Sequence, residues 1–465
     1  MSEEKELTRG EQLRRALVYE RKNGWDRLDA EEGAALEAYC TGYKQVLDAG
    51  KTERECVDRA IAQAEAAGFR AYVRGMELKP GDRIYQVNRD KAIMLAVMGR
   101  KGLEHGVNIG AAHIDSPRLD LKQNPLYESD ELGFFKTHYY GGIRKYQWVT
   151  IPLELHGVVA LKNGEVVRVS VGNGPDDPMF TIDDLLPHLA TDQVKKPLGE
   201  AIPAESLNIL VGSRPLRDDE GSDRVKLSVL ELLNRKYGIV EEDFLSAELC
   251  AVPAFRAVDI GFDRSLIGAY GHDDRVCAYA SLAALLQLGT PERTAVCMLA
   301  DKEEIGSEGV SGMKSRAFDT FMEDLCQSQS VPLRACYEKS FCLSADVTAA
   351  YDPNFAEVYE KRNSALVNCG MGLCKYTGAR GKSGASDASA ELVAYVRGVL
   401  DRADVVWQMA ELGKVDAGGG GTVAMFMAER NIDTLDAGVP VLSMHSPFET
   451  VGKLDCYMTF KGVKA

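Results

Sequence analysis

The chain has 465 residues, 45% of them hydrophobic, which is enough for two domains and at least one large buried core. Its formal charge of -15, without a long Lys/Arg run, argues against nucleic acid and anionic membranes as partners. The 11 cysteines lack Cys-x-x-Cys spacing, and no run has the pattern of a signal peptide or membrane span. We therefore expect a cytoplasmic protein without disulfides or thiolate metal sites.

The N-terminal part of the chain is predicted to be mainly helical, and a β-hairpin follows it. The two helices and the two hairpin strands are predicted at residues 34–47, 53–67, 83–86 and 92–97. The apolar run 106–112 then predicts a strand that ends in His113.

Strand-like segments dominate between residues 121 and 255. They are predicted at residues 147–155, 158–161 and 166–171. Asn163 and Gly164 lie between the last two, and this pair favours a tight hairpin because both turn positions must accept positive φ. We interpret residues 121–255 as a β-rich insertion.

Helix and strand patterns alternate in the remainder of the chain. Helices are predicted at residues 276–288, 388–400 and 422–430, and strands at 294–300, 341–345, 405–409 and 439–444. This alternation favours an α/β fold with a mixed central sheet and helices on both faces. Open sheets of this kind bind ligands at the carboxyl ends of their strands.

His113 and Asp115 stand at the end of the first predicted strand of this sheet. Positions i and i+2 of a strand point to the same side, so the imidazole and the carboxylate share a face. The pair suits a metal-bound imidazole oriented by an acid. A His-x-Asp pattern at the surface is, however, the commoner event.

Acidic residues and a second histidine follow three other predicted strands. Glu303 and Glu304 follow 294–300, Asp346 follows 341–345, and His445 follows 439–444. Because consecutive side chains diverge, one glutamate can bind a metal while the other acts as general base on a water molecule. A solvated acidic loop is the alternative, but the recurrence at strand ends favours a site.

Asp273 and Asp274 precede the predicted helix 276–288, where unpaired amides favour acids as caps. Capping is the simpler interpretation, but alongside the other groups one of the two can bridge two metal ions. Three ligand carboxylates and one hydroxide carry about four negative charges, which two divalent cations balance. Nitrogen and oxygen donors suit zinc first, with cobalt or manganese as substitutes.

Four consecutive glycines occupy residues 418–421, ahead of the predicted helix 422–430. Two interpretations weigh about equally. The run is either a flexible loop or a source of exposed amides that bind a peptide backbone or an oxyanion.

Six segments carry a family resemblance in the family's own order. They are AHIDSPRLD at 112–120, YYGG at 139–142, DDR at 273–275, DKEEIGS at 301–307, SADV at 344–347 and MHSPFE at 444–449. Together they resemble the aspartyl aminopeptidase family of dinuclear zinc metallopeptidases, especially its bacterial members.

The resemblance implies a role for each matching residue. The implied metal ligands are His113, Asp273, Glu304, Asp346 and His445. Asp273 is the implied bridging ligand, because the family's bridging acid precedes an Asn or Asp, and Asp274 is the alternative. Asp115 would orient His113, and Glu303 would be the general base.

The resemblance also implies an architecture and partners. The catalytic domain would comprise residues 1–120 and 256–465, in a zinc-exopeptidase-like fold, and 121–255 would form an inserted dimerisation domain. Dimers would assemble further into a tetrahedral dodecamer. The implied substrates are peptides with a free N-terminus, preferably with an acidic or neutral first residue. His188 would reach a neighbouring subunit's active site, although a partly buried helix histidine is an equal alternative, and the candidate substrate contacts are Lys382, Gly419 and Gly420.

Two other functions remain open from the residues alone. A dinuclear deacylase or carboxypeptidase would need a cation for the free carboxylate of its substrate, and Arg118, Arg275 or Lys382 could provide it. A non-catalytic, oligomeric peptide-binding protein is the third possibility. The complete set of candidate ligands argues against it.

Overall fold

A nine-stranded mixed sheet forms the centre of the protein in a computed structural model that describes residues 7–465. In spatial order its strands are Arg70–Ala71, Arg83–Asn88, Ala92–Val97, Ala295–Ala300, Asn108–His113, Phe341–Ser344, Asp433–Gly438, Met371–Cys374 and Trp407–Met409. The four strands from Ala295–Ala300 to Asp433–Gly438 are parallel, and antiparallel neighbours flank them. The predicted mixed α/β class is confirmed.

Helices cover both faces of this sheet. The α-helices are Arg9–Leu17, Ala30–Ala49, Glu53–Ala66, Leu198–Ala201, Arg224–Tyr237, His272–Leu286, Ala317–Ser328, Leu333–Tyr337, Ala390–Arg402, Ala424–Ala428 and Lys453–Lys464. Strand Ala92–Val97 shows why there are two apolar layers: Ile93 and Leu95 belong to one buried cluster, whereas Met94 and Ala96 belong to another. Alternate side chains of a strand point to opposite faces, so each face needs its own cover of helices.

A second, antiparallel sheet of six strands is built from residues 118–253. In spatial order its strands are Val166–Val171, Leu153–Ala160, Ala247–Pro253, Arg118–Ser129, Leu132–Tyr140 and Ile209–Gly212. It has a separate apolar cluster that includes Leu119, Trp148 and Phe244. The predicted hairpin around Asn163 and Gly164 is present, with the amide of Gly164 donating to Leu161 and its φ at 88°.

The strands predicted at 147–155 and 158–161 are wrong in their bounds. Residues Lys145–Gln147 form a 3-10 helix, and one strand runs unbroken from Leu153 to Ala160. The strand continues through Gly157, where a Cβ would lie 1.9 Å from the carbonyl oxygen of Glu248 on the neighbouring strand. This glycine allows two strands to approach closely, and it does not end either of them.

Part of the strand predicted at 439–444 is present, but it belongs to a third sheet and not to the central one. This third sheet contains five short strands, in the order Val258–Ile260, Leu266–Ala269, Glu449–Gly452, Pro440–Leu442 and Thr348–Ala349. The central sheet instead receives Asp433–Gly438, and the helix predicted at 422–430 is only the short Ala424–Ala428. His445 therefore lies in the turn between two antiparallel strands of the third sheet.

Within residues 7–465, none of the helices combines the length and the apolar character needed to span a bilayer.

Candidate metal centre

Three neighbouring strands of the central sheet deliver candidate ligands to one edge. His113 ends Asn108–His113 and is the register partner of Ala300. Phe341–Ser344 runs parallel on the other side, two residues before Asp346. Because the three strands are parallel, His113, Asp346 and the acids that follow Ala300 come together at their carboxyl ends.

A first cluster of ligand atoms surrounds the Nε2 atom of His113. This atom lies 3.2 Å from Oδ1 of Asp273 and 3.9 Å from Oδ1 of Asp346. His113, Asp273 and Asp346 are all buried, and their ligand atoms are close enough together to hold one ion.

A second cluster surrounds the Nε2 atom of His445. It lies 3.1 Å from Oδ2 of Asp273 and 3.4 Å from Oε1 of Glu304. Asp273 thus belongs to both clusters and turns one oxygen toward each imidazole. Asp274 points elsewhere, since its Oδ2 accepts a 3.4 Å hydrogen bond from the backbone amide of His113.

The tautomers of both histidines suit metal binding. Nδ1 of His113 faces the carbonyl oxygen of Asp115 at 3.0 Å, and Nδ1 of His445 faces that of Gly142 at 2.9 Å. A carbonyl oxygen can only accept, so each Nδ1 carries the proton and donates it. Each Nε2 faces the acids, and in a neutral imidazole it is the nitrogen that remains to bind a metal ion.

Electrostatics also favour a cation here. Burial raises the pKa of Glu303 to about 7 and holds those of Glu304 and Asp346 well above their usual values. Oε1 of Glu304 is buried and accepts no hydrogen bond from the part of the chain described. Several buried carboxylates without compensating cations are costly, and divalent ions would remove that cost. The nitrogen and oxygen donors fit zinc.

Asp115 organises this edge from behind the ligands. Its Oδ1 lies 3.3 Å from Nδ1 of His113 and accepts from the amide of Glu303 at 3.1 Å. Its Oδ2 accepts from the amide of Glu304 at 3.2 Å. Burial alone would raise the pKa of Asp115, but the contact with His113 outweighs burial and lowers this pKa below its usual value. The carboxylate therefore stays ionised. Glu303 then presents its Oε2 at 3.9 Å from Nε2 of His113.

Glu449 received no role in the sequence interpretation, although it lies in a matching segment. One of its oxygens accepts from the amide of His445 at 2.7 Å, and the other accepts from the amide of Asp273 at 3.1 Å. It holds the backbone of two candidate ligands in place. Glu449 is the first residue of strand Glu449–Gly452, and an acid at the start of a largely buried strand was the signal that could have found it.

A cavity of about 300 Å³ opens beside the two clusters. Gly419 and Gly420 line it, and they pair with Gly378–Ala379 as a short two-stranded ladder. Lys382 lies behind its wall, 3.3 Å from Asp387 and 4.0 Å from the ring centroid of Tyr376. His188 is exposed, within the 3-10 helix Pro187–Leu189, and does not line the cavity.

The three cations considered for an acyl-substrate enzyme lie outside the cavity. Arg118 is buried and binds Glu53 at 2.9 Å and Asp120 at 2.8 Å. Arg275 is buried and donates to the carbonyl of Lys51 at 3.0 Å. Neither these two residues nor Lys382 lines the cavity, so the cations named for that alternative do not face a substrate there.

Comparison with known proteins adds independent information. The family model described as aminopeptidase I zinc metalloprotease (M18) matches residues 46–465. A probable M18 family aminopeptidase 1 of Clostridium acetobutylicum is 48% identical over 97% of this chain and 98% of its own length. The crystal structure of an M18 aminopeptidase from Thermotoga maritima superimposes with a TM-score of 0.92 at 43% identity, covering 96% of this chain and 99% of that one. That of aminopeptidase I from C. acetobutylicum gives 0.90 at 43%, with the same coverage.

The shared position of Asp273 predicts different results for two adjacent substitutions. Asp273→Asn removes a charged ligand from both clusters, so we expect the bound zinc to fall at both sites. Asp274→Asn is the matched control and should keep the metal content of the unaltered protein. Elemental analysis after dialysis measures both. Equal zinc losses in the two variants would contradict the distinction.

Proposed function

We propose that this chain, an aminopeptidase that belongs to the M18 family of aminopeptidase I zinc metalloproteases, binds two divalent metal ions and uses Glu303 as its general base. The observation that carries the proposal is the shared carboxylate of Asp273, whose two oxygens lie 3.2 and 3.1 Å from the two imidazoles. One ion would be held by His113, Asp273 and Asp346, and the other by Asp273, Glu304 and His445.

Each side chain then has a defined task. Bound zinc would supply Lewis acidity and lower the pKa of a water molecule toward neutrality. Glu303 would accept the proton of the attacking water at its carboxylate and return it to the leaving amine. Asp115 would hold the imidazole of His113, and Glu449 would hold the backbone of Asp273 and His445. Cobalt or manganese would substitute for zinc.

The substrates we propose are peptides with a free N-terminus. The cavity at the metal centre is closed on one side by Gly419 and Gly420, whose lack of side chains leaves room for a peptide backbone. Arg380 and Lys414 also line it and support a preference for an acidic or neutral first residue. Lys382 would act on the substrate indirectly, through its contact with Tyr376.

We further propose that residues 1–120 and 256–465 form the catalytic domain and that residues 121–255 mediate self-association. Six large apolar side chains of one short segment are at least half exposed: Met179, Leu185, Leu186, Leu189, Val194 and Leu198. A patch of this kind favours an interface, here with a second copy of the chain. Saccharomyces cerevisiae mApe1, which shares the fold, has been solved as a dodecamer, which supports dimers that assemble into a tetrahedral dodecamer.

His188 lies within this apolar segment and would reach the active site of a neighbouring subunit. It is exposed in the single chain, as such a role requires. The cysteines found in the structure are all free and buried, which fits a reducing, cytoplasmic location.

The reaction is tested with aminoacyl substrates that carry acidic, apolar or basic first residues, each with a free or an acetylated amine. We expect cleavage of the free-amine series only, loss of activity after chelation, and recovery on addition of zinc, cobalt or manganese. Cleavage confined to the acetylated series would instead support a deacylase. The absence of cleavage with every metal would favour a binding protein.

Replacement of the proposed base separates chemistry from metal binding. Glu303→Gln should lower kcat by about 100- to 10,000-fold, because the variant cannot take up the proton of the water. The zinc content should stay the same. Glu308→Gln, an exposed change five residues further on, is the control and should retain full activity. Near-normal turnover of the Glu303 variant would assign the base elsewhere.

Self-association is tested by placing a charge in the apolar segment. Leu189→Asp should shift the mass in solution toward smaller species, because a desolvated carboxylate opposes contact between copies. Val73→Asp, at a comparably exposed apolar position outside residues 121–255, should leave the mass unchanged. Mass photometry over a concentration series measures both. Identical masses for both variants and the unaltered chain would exclude the segment from the interface.

A further inference from the structure

The motif at residues 139–142 has no role in the chemistry proposed above. Its backbone and one side chain nevertheless form hydrogen bonds on the Nδ1 side of both imidazoles. The hydroxyl of Tyr140 donates a 2.8 Å hydrogen bond to Oδ2 of Asp115. The other oxygen of this carboxylate, Oδ1, contacts Nδ1 of His113. The carbonyl oxygen of Gly142 accepts the Nδ1 proton of His445 at 2.9 Å. One stretch of three residues thus contacts the outward side of the metal centre twice.

Tyr140 is held firmly by its own surroundings. It ends strand Leu132–Tyr140, where its register partner across the six-stranded sheet is Arg118. Opposite residues of an antiparallel pair have their side chains on the same face. The guanidinium of Arg118 accordingly stacks 4.1 Å from the ring centroid of Tyr140. Arg118 is fixed in turn by Glu53 and Asp120.

Gly141 brings the same segment against a third candidate ligand. Its φ is 77°, a conformation that glycine adopts without strain. A Cβ at this position would lie 3.2 Å from Oε2 of Glu304. The backbone here packs directly beside the ligand carboxylate, with space for a hydrogen atom only.

We propose that residues 140–142, at the end of strand Leu132–Tyr140 of the six-stranded sheet and directly after it, are positioning residues that set the metal affinity of the centre. The inference rests on the proposed dinuclear function and adds that part of the zinc affinity originates outside the central sheet. The step through Tyr140 is the one a side-chain change can test. Without its hydroxyl, Oδ2 of Asp115 keeps only the amide of Glu304 as a donor, and the carboxylate that contacts the imidazole of His113 is held less firmly.

The test compares Tyr140→Phe with Tyr139→Phe in the full chain. The first change removes the hydroxyl and keeps the ring that stacks on Arg118, whereas Tyr139 is the exposed neighbour. Stepwise zinc dissociation constants are measured by competition with a chromophoric chelator. We expect Tyr140→Phe to weaken one zinc site, the one that contains His113, by about 10- to 100-fold. The other site should change less, and Tyr139→Phe should match the unaltered chain.

One further measurement and one further variant distinguish positioning from a general structural role. The visible spectrum of the cobalt-loaded protein should shift in Tyr140→Phe, because the orientation of one ligand changes. Arg118→Lys, which acts through Tyr140, should weaken the same site by up to about tenfold, and it serves as a second variant if Tyr140→Phe fails to fold.

An unchanged zinc constant in Tyr140→Phe would overturn the inference while the proposed function stands. A lower unfolding temperature of the metal-free variant, with the zinc constants unchanged, would also overturn it. If the unaltered chain binds no zinc, the proposed function and this inference are both overturned.

Discussion

The repulsion among acids at one edge of the central sheet is the constraint on which the rest of the structure depends. Asp273, Glu303, Glu304 and Asp346 lie around two imidazoles, largely out of solvent. Gathering carboxylates in a place with little water is costly, and protonation or bound cations are the two ways to reduce that cost. The Nε2 atoms of His113 and His445 face these acids, and a metal ion bound between them would satisfy both groups.

All three sheets position these groups. Two strands of the central sheet end at or just before His113 and Asp346. The third sheet supplies the turn that contains His445, and it supplies Glu449, which accepts a hydrogen bond from the amide of His445. The six-stranded sheet contributes the outer contacts through Tyr140 and Gly142. Because each imidazole is contacted from both sides, its orientation is fixed before any ion binds, which is the preorganisation that a metal site needs.

Local patterns were enough to predict the class of the fold and where its polar strand ends lie. Strands Ala92–Val97, Ala295–Ala300 and Phe341–Ser344 are apolar and clearly bounded, so their composition identifies them. The same signals failed at Pro440–Leu442, because a short apolar strand reads alike in any sheet. The unbroken strand Leu153–Ala160 was missed because a glycine that permits close backbone contact, such as Gly157, cannot be told from one that ends a strand. Glu449 was passed over because its role depends on accepting from two backbone amides, and one of them, that of Asp273, is 176 residues away in the sequence.

The placement of the six-stranded sheet links two properties that would otherwise be independent. Residues 179–198, which lie between two of its strands in the sequence, expose the apolar side chains of the proposed interface, and residues 140–142 hydrogen-bond to His445 and to Asp115, the neighbour of His113. The sheet joins the rest of the chain through a polar bond as well, since His156 bonds Glu55 of helix Glu53–Ala66 at 2.8 Å. Closely packed interiors transmit strain, so a restraint on this sheet would reach the residues that contact the candidate metal ligands.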